Sequence, residues 1–82
     1  MLQQSRNLRR QAFVSEVILE TLKEKAQDGD TSSSLARTLA HTMSYDEYAD
    51  AMGRLQAVGL VQALDGTLFI TLKGYSVLEY PN

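Results

Sequence analysis

Near Gly59 the spacing of apolar residues changes period, and this restricts the fold more than any other feature of the chain. Upstream, Tyr45, Tyr48, Ala51, Met52, Leu55 and Val58 fall on one stripe of a helix. Downstream, Leu60 to Leu64 and Thr67 to Thr71 alternate and are rich in β-branched and aromatic residues, which favours two strands. Val61 and Ala63 share a face of the first strand; Leu68 and Ile70 share a face of the second. Asp65-Gly66 between them is the two-residue signal for a tight hairpin with a type I′ turn.

The helix before this change has a start and a stop. The Ser44 side chain can cap the free amides of the first turn, and Asp46 and Glu47 suit the positive end of the helix dipole. Gly59 supplies the left-handed residue that ends many helices. Asp50 lies further in, where the dipole effect has faded.

The segment from about Ser5 to Ala26 reads as a long helix. Leu8, Ala12, Val14, Val17, Ile18, Leu19, Leu22 and Ala26 span an arc of roughly 220°, against about 100° for an ordinary surface helix. Arg6, Arg9, Glu16, Glu20, Lys23 and Glu24 fill the opposite face, with Phe13 among them. So wide an arc predicts two buried sides, one against the core and one against a second subunit or a partner. Leu8, Ala12 and Leu19 are the candidate dimerisation residues, and a homodimer through this helix is expected. Arg6, Arg9 and Arg10 form the only basic cluster, in a basic N-terminal arm at residues 1–10 that can reach phosphates or a DNA groove.

Asp28-Gly29 marks a turn. Thr31 or Ser32 then caps a short helix through Leu35, Ala36, Leu39 and Ala40. His41-Thr42-Met43 connects it to the central helix. After the hairpin, Thr71 can cap a last short helix, Leu72 to Glu79, packed through Leu72, Tyr75 and Leu78. The order is helix, helix, helix, hairpin, short helix.

A chain of 82 residues, 44% hydrophobic and 22% charged, is expected to form one small domain over residues 1–82. Its modest core makes association a natural source of extra stability. The net charge of -2 weighs against a dedicated polyanion binder, which draws affinity from a basic excess. No cysteine is present, so disulfides, thiolate zinc sites and thiol catalysis are excluded. The polar start lacks the apolar run of a signal peptide, and no stretch approaches a membrane span. A cytoplasmic protein with no membrane partner is expected.

Three stretches also resemble a family. Leu35-Ala-Arg-Thr-Leu39 looks like the first helix of a helix-turn-helix. Arg54-Leu-Gln-Ala-Val-Gly-Leu-Val61 looks like the end of a recognition helix leading into a wing. Ile70-Thr-Leu-Lys-Gly74, with Val77-Leu78-Glu79, looks like the threonine-x-x-glycine step after the wing. Over about Thr31 to Glu79 the chain resembles bacterial winged helix-turn-helix regulators, including the multiple-antibiotic-resistance repressor class. The resemblance implies an α+β winged helix: a three-helix bundle with helix-turn-helix, a two-stranded hairpin wing and a short C-terminal helix.

It also implies a DNA-binding transcriptional regulator that reads double-stranded DNA with the central helix. Contacts would come from Ser44, Tyr45 and Arg54, with Arg37 and the Arg6, Arg9, Arg10 arm on phosphates. Matched residue by residue, however, the groove-facing positions also include Asp46, Glu47 and Asp50, three carboxylates that would meet a polyanion. The wing tip, Asp65-Gly66, is short and acidic.

The alternative uses the same face to bind a protein. Ala49, Gly53 and Ala57 recur every four residues and line one small-residue strip that admits another backbone; Asp46 and Asp50 flank it. An enzyme is not expected, since no nucleophile–base pair or phosphate loop is present. No metal or other cofactor is expected either, His41 being the only histidine.

Overall fold

The computed structural model describes residues 2–25 and 27–79, with side chains from Asn7 onward. The elements in chain order are α1 (Leu2–Lys25), β1 (Asp30–Thr31), α2 (Ser32–Thr38), α3 (Tyr45–Ala57), β2 (Val61–Leu64), β3 (Thr67–Ile70) and α4 (Leu72–Glu79). Among the described residues this is an α+β fold of four helices and one three-stranded antiparallel sheet in the order β1-β3-β2.

The ends of α3 are fixed by local chemistry. The Ser44 hydroxyl accepts from the Glu47 amide at 3.1 Å, and the Glu47 carboxylate accepts from the Ser44 amide at 2.9 Å. This reciprocal capping box satisfies two free donors at once. At the other end Gly59 takes φ +81. The Leu60 amide then bonds the Leu55 carbonyl and the Gly59 amide bonds the Gln56 carbonyl, the paired pattern of a Schellman stop. This turn throws the chain straight into β2.

In the hairpin Val61 pairs with Ile70 and Ala63 with Leu68. The turn residues Asp65 and Gly66 both have positive φ, 51 and 79, as a type I′ turn requires. The sheet has a third strand beyond the expected two: β1 pairs with β3, Asp30 opposite Leu68 and Thr31 opposite Thr67. Two residues are too few to display a period, so the sequence reads there only as a loop. Gly29 makes the pairing possible. It has φ +66, and a Cβ there would lie 2.5 Å from the Leu68 carbonyl oxygen.

One core joins all layers: Val14, Ile18, Leu19 and Leu22 of α1, Leu35 and Leu39 around α2, Tyr48, Ala51, Met52 and Leu55 of α3, and Val61, Leu68 and Ile70 of the sheet. Burial of this apolar surface is the main force holding the fold. Tyr48 also ties α3 to the start of α2, its hydroxyl 2.9 Å from that of Ser32. Burial raises the Tyr48 pKa above its ordinary value.

Several expectations are corrected. The first helix begins at Leu2, not near Ser5, and its end at Ala26 lies outside the described residues. Residues 2–10 are helical, so the basic cluster rides on a helix and is not a loose arm. Leu19 is only 2% exposed and belongs to the core of its own chain, so it is not a free dimerisation residue. Tyr45 and Val58, placed on the inner stripe of the central helix, are exposed; Tyr45 is the first residue of that helix and Val58 its C-cap. Leu72 is 85% exposed. Its place is taken by Gly74, which is buried so tightly that a Cβ would stand 2.5 Å from the Leu60 carbonyl oxygen and 2.7 Å from Ile70 Cγ1. Residues two positions apart on a helix point about 200° apart, so burying Gly74 turns Leu72 outward.

Candidate interaction face of the central helix

The inner stripe of α3, Tyr48, Ala51, Met52 and Leu55, is sealed against the core. Helical geometry therefore presents Asp46, Ala49, Asp50, Gly53 and Ala57 outward, and all five are exposed. They form one continuous strip: small residues along the middle, carboxylates at the N-terminal half.

Gly53 stands out physically. It lies in the middle of α3, is exposed, and has ordinary helical backbone; a Cβ built on it meets nothing within 4 Å. Glycine in a helix interior costs about 1 kcal/mol relative to alanine. Nothing inside the fold requires it.

Two of the cations expected to contact DNA, Arg10 and Arg54, lie beside this surface. Arg10 Nε donates to Glu47 Oε2 at 2.7 Å, and Arg10 Nη2 donates to Glu47 Oε1 at 3.1 Å and to the Thr42 carbonyl at 2.8 Å. Arg54 Nη2 lies 3.3 Å from Asp50 Oδ2, an i,i+4 pair along α3, while its Nε is buried without a partner. The hydrogen bond from Arg10, aided by the Ser44 amide, holds the Glu47 carboxyl down at about 2, and the same contact raises Arg10 above its ordinary value. Asp46 has no cation partner among the described residues. Between α1 and α3 runs an open cleft of about 280 Å³ lined by Asn7, Arg10, Gln11, Val14, Asp46, Glu47, Asp50 and Arg54.

The remaining candidates are scattered. The Ser44 hydroxyl is used as the helix cap. Tyr45 is 69% exposed at the start of α3, its ring centroid 6.1 Å from that of Tyr48. Arg37 is exposed in the last turn of α2, and Arg9 is exposed on α1. The side chain of Arg6 lies outside the described residues. Leu8, at 65% exposure, and Ala12 lie on the surface of α1. His41 is exposed in the turn before α3. Among the described residues no three of His, Cys, Asp and Glu gather as a metal site, and no helix is long and apolar enough to cross a membrane.

The sequence reading missed the Arg10–Glu47 contact and the cleft walls Asn7 and Gln11. The available signal was the spacing of Asn7, Arg10, Gln11 and Val14, which puts them on one face of α1. That spacing names a face but not what faces it. In comparisons with known proteins, no family model, no curated protein and no solved structure matches this chain.

Proposed function

We propose that this chain is a winged-helix domain that binds another protein through the outward face of α3. The observation that carries the reading is Gly53. An exposed mid-helix glycine with open space around it is a local cost the fold does not use. Flanked by Ala49 and Ala57, it leaves a strip on which a partner backbone can lie closely. Asp46 and Asp50 beside it select a partner with basic side chains.

The charges favour protein over nucleic acid. Arg10 and Arg54, the two cations nearest the face, are each paired with an acid of α3. A duplex laid on α3 would meet Asp46, Glu47 and Asp50 and would have to draw both arginines away from them. The wing tip adds another acid, Asp65.

A second reading is favoured by the topology. The order of three helices, a hairpin and a short closing helix is the one that the winged helix-turn-helix resemblance implies for a DNA-binding transcriptional regulator, and Arg9 and Arg37 are exposed for phosphate contacts.

Fluorescence anisotropy with a mixed-sequence duplex separates the two at about 50 mM salt, where phosphate contacts are strong. The protein-binding reading expects no association for the natural chain. It also expects salt-sensitive association to appear when Asp46→Lys and Asp50→Lys are combined. Binding by the natural chain that weakens steeply with added salt would overturn it in favour of the regulator.

A further inference from the structure

We propose that two copies of the chain associate through the outward face of α1, with the two helices antiparallel and Arg9 of each opposite Glu16 of the other.

The inference starts from the first half of α1. All residues from Asn7 to Phe13 are exposed, and burial against the protein's own core begins only at Val14. A helix of about 12 residues is marginal in water without packing. The one side-chain anchor to another element described on this half is Arg10, which grips Glu47 and the Thr42 carbonyl and whose guanidinium also lies 5.4 Å from the centroid of the Phe13 ring. The outer face of α1 carries Leu8, Arg9, Ala12, Phe13, Glu16 and Glu20, all exposed. Leu8, 65% exposed, and Phe13, 47% exposed beside Arg10, are large apolar groups that remain open to solvent, and Ala12 between them is small enough to let a second helix approach.

The charges choose both the occupant and its direction. Arg9, Glu16 and Glu20 form no ion pair among the described residues. Arg9 and Glu16 are seven positions apart, about 10.5 Å along the axis, too far to pair within one helix. A parallel copy would set Arg9 against Arg9 and Glu16 against Glu16. An antiparallel copy, related by a two-fold axis between Ala12 and Phe13, sets each Arg9 against the opposite Glu16 and stacks the Ala12–Phe13 steps at the centre. The surface is thus self-complementary, as a two-fold contact requires. A contact confined to one helix face per copy is weak, so association shows at high concentration.

Sedimentation equilibrium over a wide range of protein concentration tests this. The natural chain should pass from monomer to dimer. Arg9→Glu and Glu16→Arg, each alone, should weaken association about tenfold or more, since both symmetry-related charge pairs are turned repulsive. Combining the two should restore it, because the antiparallel pair is rebuilt with its signs exchanged. Circular dichroism checks that each variant keeps its helices; both positions are exposed, so folding should be unaffected. A natural chain that stays monomeric throughout overturns the proposal. So does a dimer indifferent to both single changes, or one that the double variant fails to rescue. The contact does not use α3, so its failure would leave the α3 reading standing.

Discussion

Arg10 and Glu47 lie 37 positions apart in the chain and meet at 2.7 Å, with a second nitrogen of the same guanidinium on the other carboxylate oxygen and on the Thr42 carbonyl. Glu47 is at the same time the reciprocal member of the capping box of α3. One carboxylate thus closes the start of α3 and fastens the projecting half of α1 to it. The pair is partly exposed, so it adds little to stability; its effect is to occupy a cation beside the face of α3.

This gives an acid-sensitive contact whose sign is fixed. The Glu47 carboxyl is lowered from 4.5 to about 2, so its contribution is fully present above the unfolded value. It is lost as the pH falls from about 4.5 through about 2. Thermal unfolding followed against pH should show the natural chain losing stability across that window relative to Glu47→Gln, with the two curves converging at its lower end. Parallel curves would mean that Arg10 does not hold Glu47 in solution.

Two glycines in helices should respond in opposite directions to alanine. Gly53→Ala adds a methyl to open space and should stabilise the fold by about 0.5–1 kcal/mol. Gly74→Ala drives a Cβ onto the Leu60 carbonyl and the Ile70 side chain and should destabilise by about 1–3 kcal/mol. Urea denaturation of the two variants decides this; a destabilising Gly53→Ala would give the glycine a role inside the fold and remove the support for the α3 face.

The core assignment separates two leucines. Leu55→Ala should cost about 2–5 kcal/mol, since Leu55 sits on the inner stripe of α3. Leu72→Ser should change stability by no more than about 0.5 kcal/mol, because Leu72 stands in solvent. A loss under half a kilocalorie for Leu55→Ala, or a large one for Leu72→Ser, would displace α3 or α4 from its place.

Leu19 provides a related test of how α1 is covered. Leu19→Glu should lower the thermal midpoint sharply at every protein concentration, because it forces an unpaired charge into the chain's own core. A variant that stays folded and merely dissociates would return Leu19 to a surface between subunits.

Much of the local structure was legible before any fold was in view. The Ser44 cap, the Gly59 stop, the Asp65-Gly66 turn and the Thr71 cap all follow from bonds within a few residues. The Thr71 hydroxyl does accept from the Gly74 amide at 3.1 Å, but it also donates to the Gly59 carbonyl at 2.7 Å, which no local pattern could announce. The outward strip of α3 was legible for the same reason: the inner stripe of a helix fixes the outer one. The electrostatic state of that strip was not, because it depends on α1 crossing beside it.

The sequence by itself determined which stretches are helix and which form the hairpin, and where α3 starts and stops, since capping, turn chemistry and hydrophobic period act between neighbours. Only the tertiary structure decided that Asp30 and Thr31 become a third strand, that Leu19 faces inward while Leu8 does not, and that Gly74 rather than Leu72 meets the sheet. Those outcomes depend on which surfaces are brought together across long separations in the chain. Steric room and charge pairing at such contacts have no counterpart in the order of the residues.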